Sequence, residues 1–213
     1  MNKLKPFVVN KILQKSLDLF YLYDKALTTV KFKSDLTSEE TITDDNRDET
    51  TTLVREEPFT HRLAVYLELL LRKHKLINFN ISVDCEYSNF GYEQKLIKNF
   101  DDTRQDKKGC IPDIIVHERF NTKSNNLIVI EAKKAIDSYL INTGNGCHKI
   151  NDDLWKLKAF AEKYQFAYFV LFGKNSAKFW QVTEDISDQQ INKLETEIKS
   201  YDPANKIIAV TGR

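Results

Sequence analysis

The chain has 213 residues, a length that favours one domain with an elaboration over two full domains. Hydrophobic residues make up 41% of it and aromatic residues 11%, which is enough for a packed core and too much for a disordered polymer. Lys and Arg number 32 against 31 Asp and Glu, and the net charge of +1 excludes a strongly basic surface that grips nucleic acid all round. Any phosphate-binding site must therefore be local.

The N-terminal part of the chain divides into a helix and an acidic segment. Apolar residues recur at helical spacing over residues 5–27, which predicts an amphipathic helix within residues 1–30 that packs on the core or on a partner. Residues 34–52 contain seven acids against one base, Arg47, among serines and threonines. This composition predicts a mobile linker. We expect the main domain over residues 53–213.

The middle of the chain changes from helical to strand periodicity. Leucines repeat with a helical period over residues 57–74, with Pro58 in the first turn, and predict a second helix with one buried stripe. The period becomes two over residues 79–85, which predicts a strand with one buried face. Nearly continuous apolar runs follow at residues 111–116 and 127–132. These runs predict a β-hairpin that is covered on both faces.

The last third of the chain predicts further helices and strands in alternation. We expect Asp152 or Asp153 to cap a helix that runs to about Tyr164 and buries its leucines. Two strands, a mostly polar helix and a short final strand are expected next, at residues 166–172, 178–182, 188–201 and 207–210. This order of elements predicts an α/β sandwich.

The cysteines and the apolar segments predict the compartment. Cys85, Cys110 and Cys147 are widely spaced, with no pair at the spacing of a zinc site. Polar residues interrupt the first apolar run, so we expect no signal peptide. No run approaches the roughly 18 apolar residues of a membrane span. We therefore expect a cytoplasmic protein.

Charged residues at the ends of the two apolar runs are the most informative feature of the sequence. Asp113 begins the first run, directly after a proline, and Glu131 and Lys133 end the second. Because side chains alternate along a strand, Glu131 and Lys133 point to the same face. A hairpin that pairs symmetrically about Thr122 puts Asp113 across from Glu131, at about 5 Å. Two carboxylates and one ammonium group are therefore expected to converge.

Such a cluster suits a divalent cation. Two neighbouring carboxylates repel each other, and a hard cation with oxygen ligands supplies the counter-charge. We expect Mg²⁺, for which Mn²⁺ can substitute, with Asp113, Glu131 and the Ala132 carbonyl as ligands. The cation would polarise a phosphodiester and lower the pKa of an attacking water. Lys133 would orient or help deprotonate that water and stabilise the negative charge that develops on phosphorus.

These residues resemble the signature of the PD-(D/E)xK nuclease superfamily: Pro-Asp, a hairpin, then Asp or Glu, any residue and Lys. The chain is also similar to a group of small, uncharacterised bacterial and phage-borne proteins with this core, over roughly residues 56–172. The similarity is carried by residues 61–67, 83–87, 112–117, 126–134 and 153–157. It implies a restriction-endonuclease-like core, with a central mixed sheet flanked by helices in the order α-βββ-α-β and an extra N-terminal helix.

The superfamily also places an acidic residue on the helix before the sheet, and here Glu56 and Glu57 are the candidates. Glu56 is favoured because it lies two helical turns before Leu63, over the buried stripe. Glu86, at the end of its strand, is a further candidate for the metal site. Each candidate for contact with substrate phosphate can also be an ordinary structural or solvated charge; the candidates are Arg62, Lys134 and Lys156.

Nucleic acid is the expected partner, and the resemblance favours DNA over RNA as the substrate of a metal-dependent phosphodiester hydrolase. A homodimer and a separate protein partner that supplies specificity are further expectations. The alternative is a catalytically inactive nuclease-like scaffold that binds nucleic acid or a protein partner in a phage-related or defence system. The near-neutral net charge keeps this alternative open.

Overall fold

The structure is a computed structural model and describes residues 4–28, 57–85, 112–118, 126–135 and 147–201. These ranges contain four α-helices, five strands and one 3₁₀ turn. In chain order they are α1 (Pro6–Tyr23), the 3₁₀ turn (Lys25–Thr28), α2 (Glu57–Lys73), β1 (Ile81–Cys85), β2 (Ile114–Glu118), β3 (Asn126–Lys134), α3 (Cys147–Ala161), β4 (Phe166–Phe172), β5 (Ala177–Val182) and α4 (Asp188–Lys199). The linker predicted at residues 34–52 and the strand predicted at residues 207–210 lie outside the described residues.

The strands form one mixed sheet in the order β1-β2-β3-β4-β5. Neighbouring strands are antiparallel except β3 and β4, which are parallel. Parallel neighbours need a crossover connection, and α3 lies in that connection. The predicted α/β class, with a mixed sheet and flanking helices, is confirmed. None of the helices in these ranges combines the length and apolar character that a membrane crossing requires.

The pairing of β2 with β3 positions the charged residues at their ends. Ile114 lies opposite Ile130 and Val116 opposite Ile128, which is the register predicted about Thr122. The register shifts after Val116, at an irregularity in the ladder. Continued by one residue in the other direction, the confirmed register brings Asp113 across from Glu131.

Helices cover both faces of the sheet. On one face α1 and α2 pack around Phe20, Phe59 and Phe172, whose ring centroids are 5.0, 5.4 and 5.5 Å apart. On the other face α3 and α4 pack over β3, β4 and β5. Ile130 of β3 belongs to the first core and its neighbour Val129 to the second, as the alternation of side chains along a strand requires. The two faces therefore have separate cores.

The first helix packs on the sheet and on α2 of its own chain. The Tyr21 hydroxyl donates to the Gly173 carbonyl at 2.6 Å, and the Tyr168 hydroxyl donates to Asn10 Oδ1 at 2.6 Å. The buried residues of α1 lie along one side of the helix; they are Val9, Ile12, Leu13, Ser16, Leu17 and Phe20. This side is continuous with the core of the sheet.

The start of α3 differs from the prediction. The sequence analysis places Asp152 or Asp153 before the helix as its cap, but α3 begins at Cys147, so both lie inside it. An aspartate ahead of an apolar stripe is typical of a cap. That interpretation is wrong here because Ile150, one turn before Leu154, already belongs to the buried stripe. The earlier start places the carboxylate of Asp153 on the side of α3 that faces the sheet.

Candidate active site

Asp113 stands directly before β2, and its carboxylate is fixed by the backbone of β3. Its Oδ2 accepts a hydrogen bond from the Ala132 N–H at 2.7 Å. The carboxylate thereby continues the ladder of hydrogen bonds beyond the first residue of β2. Since the N–H and C=O of one strand residue point to the same neighbouring strand, the Ala132 carbonyl also points towards this end of β2. Asp113 and the Ala132 carbonyl therefore lie at the same end of β2.

Glu131 carries a strongly perturbed carboxyl at this end of the sheet. Its side chain is 2% exposed, and Oε1 is buried with no hydrogen-bond partner among the described residues. Burial raises the pKa of the Glu131 carboxyl well above its ordinary value, and the negative charges of Asp113 and Asp153 raise it further. The positive charges of Lys156 and Lys133 act in the opposite direction on this pKa. Asp113, Glu131 and Lys133 are thus close enough to interact.

The helix α3 adds a buried acid to these strand residues. Asp153 is 3% exposed, and its Oδ1 accepts a hydrogen bond from Lys156 Nζ at 2.7 Å. Its Oδ2 lies 3.4 Å from Lys133 Nζ. The ammonium of Lys133 therefore lies on the same face of the sheet as Glu131, between β3 and α3. Lys156 also lies at this cluster, with Asp153 as its partner.

Sequence reasoning missed Asp153 as a site residue, although a signal was present. Asp153, Leu157 and Phe160 follow one another at the i, i+4 and i+7 spacing of a helix face. Leu157 and Phe160 are buried, and the same stripe carries Asp153 into the interior. A carboxylate on an otherwise apolar helix face predicts a buried partner of opposite charge. Lys156, at the i+3 position, is one such partner.

Two of the predicted substrate-binding cations lie away from this cluster. Lys134 points to the opposite face of the sheet, is 1% exposed, and has its Nζ 4.9 Å from the centroid of the Phe59 ring. The prediction that Lys134 contacts substrate phosphate does not fit this buried position. Arg62 is exposed on α2, where its Nε lies 3.3 Å from Oδ1 of Asp24 at the end of α1. The structure therefore does not bring Arg62 to Glu131.

The remaining predicted site residues are Glu56, a candidate catalytic residue with Glu57 as its alternative, and Glu86, a candidate metal ligand. Glu56 and Glu86 lie outside the described residues, and Glu57 is the first residue of α2, with its side chain outside them as well. Within the described ranges, no three His, Cys, Asp or Glu side chains form a ready cation cage. The predicted ligands that the structure describes at this end of the sheet are Asp113, Glu131 and the Ala132 carbonyl, and the Asp153 carboxylate lies beside them.

A partly buried acid of β1, Asp84, pairs with a buried histidine of β2, His117. His117 Nε2 lies 2.8 Å from Asp84 Oδ2, and His117 is 2% exposed. The pair links β1 to β2, which agrees with a structural role for His117.

The chain matches no protein-family model, no curated protein and no solved structure.

Proposed function

We propose that this chain is a Mg²⁺-dependent nuclease that hydrolyses phosphodiester bonds in nucleic acid, with DNA favoured as substrate. The observation that carries the proposal is the Glu131 carboxyl. It is buried beside a second carboxylate, and one of its oxygens has no hydrogen-bond partner in the described part of the chain. Such a group destabilises a fold, and strongly perturbed carboxyls are concentrated at functional sites.

The donor set fits a hard divalent cation. Asp113 and Glu131 supply carboxylate oxygens, and Ala132 supplies a carbonyl directed to the same end of β2. A cation between the two carboxylates would relieve their repulsion. Bound Mg²⁺ or Mn²⁺ would supply the charge that polarises a phosphodiester and activates an attacking water.

Lys133 is placed to act on the reacting phosphate. Its ammonium is close enough to act on the buried Glu131 carboxyl, and its side chain is 17% exposed, so Lys133 lies between the interior and the surface. From there it orients the attacking water and stabilises the negative charge that develops on phosphorus. Lys156 is 26% exposed and adds a second positive charge where a phosphate backbone would approach.

The order of the elements supports a restriction-endonuclease-like core. Among the described residues, the helix α2, the strands β1 to β3, the helix α3 and the strand β4 come in the order that the sequence resemblance implies. The helix α1 precedes them, and β5 and α4 follow. The Pro112-Asp113 and Glu131-Ala132-Lys133 motifs stand at neighbouring ends of two paired strands. The motif and the element order are separate observations that favour the same class of enzyme.

The test is cleavage of end-labelled duplex DNA, single-stranded DNA and single-stranded RNA in Mg²⁺, in Mn²⁺ and with a chelator. We expect cleavage by the wild-type protein in either metal and none with the chelator. Lys133→Ala and Glu131→Gln should reduce the rate by at least about 100-fold, since each removes a group that acts in the transition state. Lys158→Ala is the matched control, because Lys158 is a half-buried lysine of α3 that pairs with Asp188, outside the cluster. Equal cleavage by wild-type protein and Lys133→Ala would refute the assignment.

The second candidate function is a nuclease-like scaffold that binds nucleic acid or a protein partner without cleaving. It is favoured by one observation: charges of the cluster already have partners within the chain, Asp113 with Ala132, and Lys133 and Lys156 with Asp153. A scaffold would show salt-sensitive binding of duplex DNA and no cleavage in Mg²⁺ or Mn²⁺. A salt titration of duplex DNA binding, run beside the cleavage assays, therefore separates the two candidates.

A further inference from the structure

Asp153 is a buried acid with two cationic neighbours. Its Oδ1 accepts from Lys156 Nζ at 2.7 Å, which is the length of a strong charge-assisted hydrogen bond. Its Oδ2 is 3.4 Å from Lys133 Nζ, an ionic contact without hydrogen-bond geometry. Each oxygen of the carboxylate thus faces one ammonium group.

Lys156 already gives the buried carboxylate a close counter-charge from the same helix. A buried carboxylate needs a partner of this kind, and an i, i+3 pair on one helix supplies it without any contribution from the sheet. The contact to Lys133 is therefore additional to what the burial of Asp153 requires. This contact restricts Lys133, because a long side chain loses rotational freedom when its ammonium group is held.

The crossover connection explains why α3 can hold a residue of β3. The helix connects the parallel strands β3 and β4 and packs on the face of the sheet to which Glu131 and Lys133 belong. The seventh residue of α3 lies above the end of β3, where the chain carries its candidate motif. A rigid helix is a better support for a reacting group than a loop.

We infer that Asp153 is a positioning residue, which holds the Lys133 ammonium beside the Glu131 carboxyl for the hydrolysis. The inference rests on the proposed nuclease function. Asp153 does not touch the reacting atoms itself, and it acts through the direction and order of the Lys133 side chain. A misplaced catalytic group typically lowers the rate 10- to 100-fold without a comparable change in substrate binding.

The first measurement needs no catalysis. NMR order parameters of the Lys133 side chain are compared in wild-type protein, Asp153→Asn and Asp152→Asn. Asp152 is the adjacent carboxylate of α3 and is the matched control, because it is only half-buried. We expect a lower Lys133 order parameter in Asp153→Asn alone. An unchanged order parameter in a folded Asp153→Asn protein would overturn the inference, whether or not the wild-type protein cleaves nucleic acid.

The second measurement is steady-state cleavage of end-labelled duplex DNA in Mg²⁺. If the wild-type protein cleaves only single-stranded DNA or RNA, that labelled strand replaces the duplex. In Asp153→Asn we expect kcat to fall about 10- to 100-fold with KM changed less than about threefold, and in Asp153→Glu we expect a partial recovery.

A double variant decides whether Asp153 acts through Lys133. In the Lys133→Ala background, Asp153→Asn should lower the residual rate no further. An additional loss equal to that in the wild-type background would show that Asp153 acts independently and would overturn the inference. If the wild-type protein cleaves no nucleic acid, the proposed function and the catalytic role of Asp153 are both refuted. The order parameters then still test whether Asp153 holds the Lys133 side chain.

Discussion

Glu131 is held at the end of β3 in a setting that opposes its ionisation. Burial is the largest cause of its raised pKa, and two further carboxylates add to it. Because folding raises this pKa, the folded protein keeps the proton at pH values where the unfolded chain has released it. The free energy of unfolding should then fall as the pH rises above the ordinary glutamate value of 4.5. The fall stops once the pH passes the pKa of the folded state.

Glu131→Gln replaces the ionisable carboxyl with an amide that does not titrate. It should therefore remove the pH dependence of the free energy of unfolding that Glu131 causes. We expect the metal-free variant to be more stable than the metal-free wild-type protein above pH 4.5. The difference should grow by up to about 1.4 kcal/mol for each pH unit until the folded wild-type protein also ionises. Urea unfolding at a series of pH values, in the presence of a chelator, measures it. Glu162→Gln, an exposed change near the end of α3, serves as the control.

Binding of a divalent cation should offset the loss of stability that ionised Glu131 causes. In Mg²⁺ at neutral pH we expect the wild-type free energy of unfolding to rise by about 2.7 kcal/mol at 100 times the dissociation constant. The gain should shrink towards acid pH, since Glu131 must release its proton to bind. Glu131→Gln should gain much less, and unfolding curves with and without Mg²⁺ provide the comparison. An equal gain in both proteins would place the cation elsewhere.

Among the elements, α1 is the one whose role in stability is least evident from the sequence. Its apolar period predicts an amphipathic helix, but the pattern alone leaves open what covers the apolar side. In the structure Phe20 is fully buried between Phe59 of α2 and Phe172 of β4. The helix therefore completes the core on one face of the sheet.

Phe20→Ala should destabilise the whole domain. Truncation of a fully buried phenylalanine typically costs 3–5 kcal/mol, and we expect about that loss in urea unfolding. Phe7→Ala on the same helix is the control, because Phe7 is 75% exposed and its truncation should change the stability by less than about 0.5 kcal/mol. A similar small effect for both variants would mean that α1 can separate from the sheet without loss.

The elements near the site differ in how well the sequence predicts them. The register of β2 and β3 follows from two apolar runs and an even offset between Asp113 and Glu131, and it is confirmed by the pairing of Ile114 with Ile130. The start of α3 does not follow, because an aspartate is equally suited to a helix cap and to a buried ion pair. Which one forms depends on packing beyond the local sequence, since Ile150, one turn before Leu154, is already buried against the sheet.

At the scale of the whole molecule, the contact between β3 and α3 depends on the order of strands in the sheet. Periodicity predicts each strand but not its neighbour, and the parallel pairing of β3 with β4 is what places α3 over the charged end of β3. This pairing brings Asp153 and Lys156 to Glu131. The positive charges of Lys133 and Lys156, which would face a substrate under the proposed function, are thereby gathered at one place on a nearly neutral molecule.

This local charge should be visible in the salt dependence of binding. Glu131→Gln, which we expect to bind duplex DNA without cleaving it, allows the affinity to be measured across salt concentrations. With Lys133 and Lys156 as the cations of the site, about two phosphates are neutralised, which corresponds to a slope of log K against log salt of about −2.

Each lysine of the site should account for part of that slope. Adding Lys156→Ala should make it shallower by about 0.9, whereas adding Lys158→Ala should leave it unchanged, because Lys158 pairs with Asp188. Lys134→Met should also leave the slope unchanged if the variant folds, since the Lys134 ammonium is buried over Phe59 on the other face. A slope near −8 would contradict a local site, because it would require a continuous basic face, which a chain with a net charge of +1 would have to balance with an equally acidic one.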